Sequence, residues 1–467
     1  MPKHDFPAGF LWGVATSAAQ IEGGRREGGR GDSIWDRFAA LPGNIADGSV
    51  PDVACDHYHR WREDVALLKW LGLGGYRFSI AWPRVFPEGR GRVNVPGLDF
   101  YDALVDALLE AGIQPCPTLY HWDLPQALQE AGGWGERDTA EAFAQFATVV
   151  ARRLGDRVRH WTTVNEPWCA ATLGHEEGKH APGRCDPAEA LRAGHHLLLA
   201  HGLATAAIRR EVRAAQLGIV LIHCPAHAAS DSAADRDAAR WFDGFFNRWY
   251  LDPVFRGDYP ADALADRVAL GHLPAPELPC VKEGDLALIA APLDFLGLNY
   301  YSRAVVRAGP HQRPVDARGA PPAELTDMGW EVYPQGLHES LLRIHREYRP
   351  RRIYVTENGA AYTDRSDARG RIADARRIAY LRAHLLAARR AIADGVPLAG
   401  YFVWSLLDNF EWGFGYTKQF GLYAVEPETL RRIPKDSAFW YRDVVSANAV
   451  PDQPAPQTRG ESRASEP

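Results

Sequence analysis

Glu166 and Glu357 each stand at the end of a short apolar, β-branched run, and each has an asparagine beside it, Asn165 before the first and Asn358 after the second. Cleavage of a glycosidic bond needs such a pair. One carboxylic acid protonates the departing oxygen, while a carboxylate on the other side of the ring captures or shields the oxocarbenium-like carbon. Taken singly, either glutamate reads equally well as a helix cap or an ion-pair partner. Other runs of the same kind end in His121 and Trp122, in Asn299 and Tyr301, and in Trp404, side chains that can hold a sugar. Groups so distant in the chain meet only if the runs end on a common face.

A parallel barrel supplies that face. Candidate strands lie at 10–16, 76–80, 114–120, 159–165, 218–222, 295–299, 353–357 and 400–404, with longer amphipathic segments between them. Two of these segments are 101–111, in which Leu104 and Leu108 share a face before Gly112, and 374–394, which ends at Gly395 and Pro397. Eight such alternations predict an α/β protein built as a single (β/α)8 TIM barrel, with all strand C-termini opening to one side. The stretches 25–52, 174–187 and 305–330, rich in Gly, Pro and charge, are expected as long strand-to-helix loops around the site. The barrel is assigned to 1–446 and a Pro-rich disordered tail to 447–467.

Composition narrows the partners. A net charge of −6 gives no basic field for nucleic acid and no polybasic anchor for a membrane. No apolar stretch approaches the ~20 residues of a membrane span, and the first ten residues lack a signal-peptide pattern, so a cytoplasmic location is expected. The six cysteines are scattered and read as reduced thiols. His57 and His59 lie two apart on a helical pattern and point apart, and His195, His196 and His201 read as helix or core residues. No metal and no cofactor is expected. Oligomeric state is left open.

The motifs that surround these residues resemble glycoside hydrolase family 1, from about residue 6 to residue 441. The likeness is carried by 10–24 with Gln20, by 76–84 with Arg77, by 163–167 with Asn165 and Glu166, and by 298–302 with Asn299 and Tyr301. It continues through 354–359 with Glu357 and through 404–412 with Trp404, Glu411 and Trp412. The resemblance implies a β-glucosidase that retains anomeric configuration, with Glu166 as acid/base and Glu357 as nucleophile. It implies that Arg77 and Tyr301 hold the nucleophile and that Asn165 binds the sugar 2-hydroxyl. Gln20, His121, Trp404, Glu411 and Trp412 would grip the other hydroxyls or floor the ring, with Asn299 and Trp122 in support. Trp330 would stand at the leaving-group site and Phe420 would close the sugar pocket.

Physics gives the two glutamates different tasks. A guanidinium and a phenol beside Glu357 favour its charged form, whereas Glu166, facing that charge, should hold its proton. Retention requires carboxyl groups about 5 Å apart. Glu411 argues against a phosphorylated sugar, because two unit charges ~4 Å apart repel by about 4 kcal/mol at an effective dielectric of 20. Lys418 lies near, but Phe420 stands where a phosphate-binding Tyr would be expected. The substrate expected is a small β-glucoside or short oligosaccharide, with side activity on β-galactosides and β-fucosides. His223 departs from the commoner Asn after strand five and leaves the leaving-group preference open. A transglycosylase, a 6-phospho-β-glucosidase, a sugar-binding protein without catalysis and a metal-dependent hydrolase are the alternatives.

Overall fold

The structure is a computed structural model, and it describes residues 5–310, 314–317 and 324–451. Eight parallel strands close into a barrel: β1 (Leu11–Ala15), β2 (Gly75–Ser79), β3 (Gln114–Tyr120), β4 (His160–Asn165), β5 (Gln216–Ile222), β6 (Phe295–Asn299), β7 (Ile353–Asn358) and β8 (Leu398–Trp404). Each pairs with its neighbours in sequence, and β1 closes the ring on β8 from Leu11 opposite Gly400 to Ala15 opposite Trp404. Nearly every strand residue is buried, because helices cover the outer face while side chains fill the inner one.

All eight expected strands exist, with ends displaced by at most two residues. The helix expected at 101–111 runs from Val95 to Glu110, since Pro96 in its first turn starts it where no intrahelical N–H is needed. The one expected at 374–394 spans Ala375–Ala393. Three segments expected as loops carry structure of their own. Segment 25–52 holds a helix, Ile34–Ala39, started by a reciprocal capping box between Ser33 and Asp36. Segment 174–187 overlaps a π-helical turn, Cys169–Glu176. Segment 305–330 contributes Ala304–Ala308 and Pro314–Asp316 to a small sheet, and part of it lies outside the described residues.

The tail cannot begin at 447. The last helix reaches Ala447, Asn448 donates to the Phe6 carbonyl and accepts from the Trp12 indole, and Val450 is buried. The remainder of the expected tail, 452–467, lies outside the described residues. His57 pairs with Asp64 inside the fold, His195, His196 and His201 are core residues, and no group of metal-binding side chains occurs among the described residues. Among them, too, no helix is long and apolar enough to cross a membrane.

Candidate active site

The C-terminal ends of β2, β3, β4, β6, β7 and β8 deliver Arg77, His121, Asn165, Glu166, Asn299, Tyr301, Glu357 and Trp404 to one polar pocket. Regular pleating would turn successive side chains to opposite faces. Here the pairing slips between Thr162 and Asn165 on β4 and between Val355 and Glu357 on β7. Such irregularities re-aim side chains, and these two stand at the strand ends that carry the two glutamates.

Glu357 is gripped on both oxygens. Arg77 donates to Oε1 and the Tyr301 hydroxyl donates to Oε2 at 2.6 Å. Burial and the neighbouring Glu357 charge raise the Tyr301 phenol well above its ordinary range, so it remains a donor. The second arm of Arg77 reaches Asn165 Oδ1 at 2.6 Å. Asn165 Nδ2 lies 3.2 Å from His121 Nε2, and burial, with Arg77 nearby, keeps that imidazole neutral.

Glu166 has other company. Asn299 donates to its Oε1 at 2.5 Å, and Asn299 is itself oriented by the Thr356 hydroxyl at 2.7 Å. The Cys169 thiol donates to Oε2 at 3.0 Å. Burial first, and the charge of Glu357 second, push the Glu166 carboxyl up to about 7. The contacts of the two carboxylates thus differ: Glu357 has a guanidinium and a phenol against it, and Glu166 has a neutral amide and a thiol.

Beyond the carboxylates the pocket is aromatic. His121 lies nearly parallel to Trp404 and Trp412, with centroids 5.8 and 5.9 Å away. Tyr301 packs on Trp330, and Phe420 approaches both rings. Trp122 is a wall behind the pocket: it packs on Trp412 at 4.7 Å and its indole donates to the Asn165 carbonyl. Gln20 donates to Asn409 and to the Phe410 carbonyl and lies 3.4 Å from Glu411. All fourteen residues singled out from the sequence are therefore gathered at one end of the barrel.

Backbone strain helps to place them. Among the described residues eight non-glycine residues have left-handed φ, and Trp122 (76°), Glu166 (45°) and Trp412 (50°) are three of them. Each such conformation costs about 1–3 kcal/mol and persists only where surrounding contacts enforce it. Gly359 serves the opposite need. A Cβ there would lie 1.8 Å from the Trp404 carbonyl oxygen, so glycine lets the chain after β7 press against the end of β8.

One sequence argument changes. The charge argument against a phosphorylated sugar weakens, because burial, then Glu357, raises the Glu411 carboxyl to about 8. The other half of that argument stands, since Phe420 is buried without a hydroxyl and the Lys418 ammonium is held by the Asp327 carbonyl at 2.7 Å. His223 is buried, and its Nδ1 meets the Ser340 hydroxyl at 2.9 Å, which itself donates to the Gly336 carbonyl. Cys169, Thr356 and Asn409 were missed from the sequence. Thr356 and Asn409 lie inside recognised motifs, but only the slipped strand and the folded loop reveal their partners.

The comparisons agree with this geometry. The model of glycosyl hydrolase family 1 matches residues 2–450. The chain is 48% identical to beta-glucosidase A of Acetivibrio thermocellus, over 96% of this chain and 100% of that one. It is 44% identical to a bifunctional beta-D-glucosidase/beta-D-fucosidase of Bifidobacterium breve, over 95% and 99%. The solved family 1 β-glucosidase of Thermotoga maritima superposes with a TM-score of 0.92 at 46% identity, covering 97% of this chain and 100% of that one. With a family match over nearly its whole length and a barrel whose strand ends carry the paired glutamates, this chain belongs to glycosyl hydrolase family 1.

Proposed function

We infer that this protein is a retaining β-glucosidase that removes terminal non-reducing β-D-glucosyl residues from β-glucosides and short oligosaccharides. The observation that carries the reading is the unequal setting of two buried carboxylates in one pocket, Glu357 against Arg77 and Tyr301, Glu166 against Asn299 and Cys169.

Glu357 attacks the anomeric carbon as Glu166 passes its proton to the departing oxygen, and a glucosyl ester on Glu357 results. Ester formation removes the Glu357 charge that, after burial, helps to raise the Glu166 carboxyl, so its proton affinity falls. Glu166, now ionised, takes a proton from water. That water displaces Glu357 from the sugar, and both groups regain their starting states. Asn165 faces the 2-hydroxyl, where hydrogen bonds strengthen in the transition state. Gln20, Glu411 and His121 take the outer hydroxyls, and Trp404 and Trp412 pack the ring.

Bound hydroxyls can be satisfied in either orientation by Gln20 and Glu411, which supports side activity on β-galactosides and β-fucosides. Among solved relatives, the Thermotoga maritima enzyme has been seen with glucoimidazole and with galacto-hydroximolactam. Six cysteines outside any disulfide, three of them buried, suit a cytoplasmic enzyme acting on short, soluble glucosides.

The decisive comparison is kcat/KM for nitrophenyl β-glucoside, β-galactoside, β-fucoside and 6-phospho-β-glucoside, with Glu357→Ala as the blank. Turnover of the unphosphorylated glucoside by the wild type alone is expected, whereas preference for the phosphorylated sugar would overturn the substrate assignment. The pH profile gives a second check. Glu166 must be protonated in the free enzyme to act as acid, so kcat/KM on an unactivated glucoside should fall as pH rises through about 7. A profile flat from about pH 6 to about pH 9 would reject that role.

A further inference from the structure

We propose that the Cys169 thiol is a positioning residue for the acid/base: its S–H directs Glu166 Oε2 and tempers the carboxyl so that one group serves in both steps. The proposal rests on the reading of Glu166 as the acid/base.

Cys169 opens the π-helical turn Cys169–Glu176, three residues after Glu166. It is tied to Glu166 twice, by its backbone N–H to the Glu166 carbonyl at 3.0 Å and by its thiol to Oε2 at 3.0 Å. Glu166 itself holds a left-handed backbone conformation, so this turn helps to maintain its unusual geometry. The amide of Asn299 can only donate toward Oε1, and its orientation is fixed by Thr356. Oε2 is therefore the oxygen whose environment the thiol controls.

A thiol suits this position because it is a weak donor. Burial, then the Glu166 charge, raises the Cys169 thiol well above its ordinary range, so it stays S–H and adds no charge of its own. The other groups acting on Glu166 are Glu357 from β7 and Arg77 from β2. Tyr301 and Glu411 lie on the same side of the pocket. Glu357 raises the proton affinity of Glu166, while Arg77, Asn299 and Cys169 lower it. A hydroxyl in place of the thiol would favour the ionised form more strongly, leaving less of the carboxyl protonated for the first step. An alkyl group would withdraw the donor and release Oε2, leaving less of the carboxyl ionised and well placed for the second step.

The experiment compares pH profiles of kcat/KM on cellobiose for wild type, Cys169→Ser, Cys169→Val and Glu166→Ala, each checked for an unchanged folded state by circular dichroism. The alkaline limb should move down in Cys169→Ser and up in Cys169→Val, each by on the order of half a pH unit. In Cys169→Val, azide should speed turnover of an activated aryl glucoside more than in wild type, because it replaces a step that needs the base. If the limb vanishes in Glu166→Ala but stays put in both Cys169 variants, the positioning role is overturned and the acid/base reading survives. If the limb persists in Glu166→Ala, the acid/base reading itself fails, and this proposal with it.

Discussion

Replacing Glu357 with alanine is expected to lower kcat on every β-glucoside by at least about 10⁴-fold, whatever the leaving group. Among the described residues no other carboxylate of the pocket is held by both Arg77 and a phenol, so none of them is prepared to take over the attack. The deletion also leaves a space on the face of the ring that Glu357 occupied. Added azide should enter there, restore turnover of an activated aryl glucoside and yield the α-glucosyl azide. A β-configured azide, or a residual rate within tenfold of wild type, would remove Glu357 from the nucleophile's role. Stability should fall as well, because Arg77 is buried and loses its charge partner. Removing one member of a buried pair costs about 3–5 kcal/mol. Glu357→Gln keeps an acceptor against Arg77 and should be the more stable of two inactive variants, measurable as a higher Tm.

Glu166→Ala should discriminate among leaving groups where Glu357→Ala does not. Cellobiose, whose departing hydroxyl needs a proton, should lose on the order of 10² to 10⁴ in kcat/KM. A dinitrophenyl glucoside leaves without protonation, so its kcat/KM should change little. Its second step, deprived of a base, should slow, giving a burst of phenol followed by a low steady rate. Azide attacks the glucosyl-enzyme from the side Glu166 has vacated, so the product here is the β-glucosyl azide. Opposite azide configurations from the two variants would assign the two carboxylates in one experiment. Equal losses on cellobiose and on the dinitrophenyl glucoside would sink the acid/base role of Glu166.

Much of this enzyme was legible in the chain. The eight strands of the barrel were legible because strands covered on both faces favour apolar and β-branched residues: the runs ending in Asn299 and Trp404 are largely apolar, and those ending in Asn165 and Glu357 add β-branched threonines. Parallel closure then forced their ends together, which is why residues separated by hundreds of positions could be assigned to one site. Motif likeness supplied the roles, and neither periodicity nor composition could have done so. Element ends were less legible, because they depend on local caps: Pro96 extends one helix toward its N-terminus, and Ser33 with Asp36 builds another inside an expected loop. The chain past 446 looked disordered by composition, yet Asn448 is bonded to Phe6 and Trp12 and Val450 is buried, contacts no local rule foresees.

What the sequence by itself determined is the residue types, their order and the periodicity that makes a parallel barrel, because these depend on the chemistry and spacing of neighbours along the chain. What only the tertiary structure decided is how strongly each group is charged and which atom it touches. Glu411 reads as a plain anion in the sequence, but burial beside Glu357 and Glu166 pushes its carboxyl up to about 8. Cys169 reads as one thiol among six until the turn after Glu166 folds its sulfur onto Oε2. Thr356 would point away from Glu357's face on a regular strand, and only the slipped pairing of β7 brings it to Asn299. Proton affinity and hydrogen bonding respond to desolvation and to distances of a few ångströms, and those are fixed only when distant parts of the chain pack together.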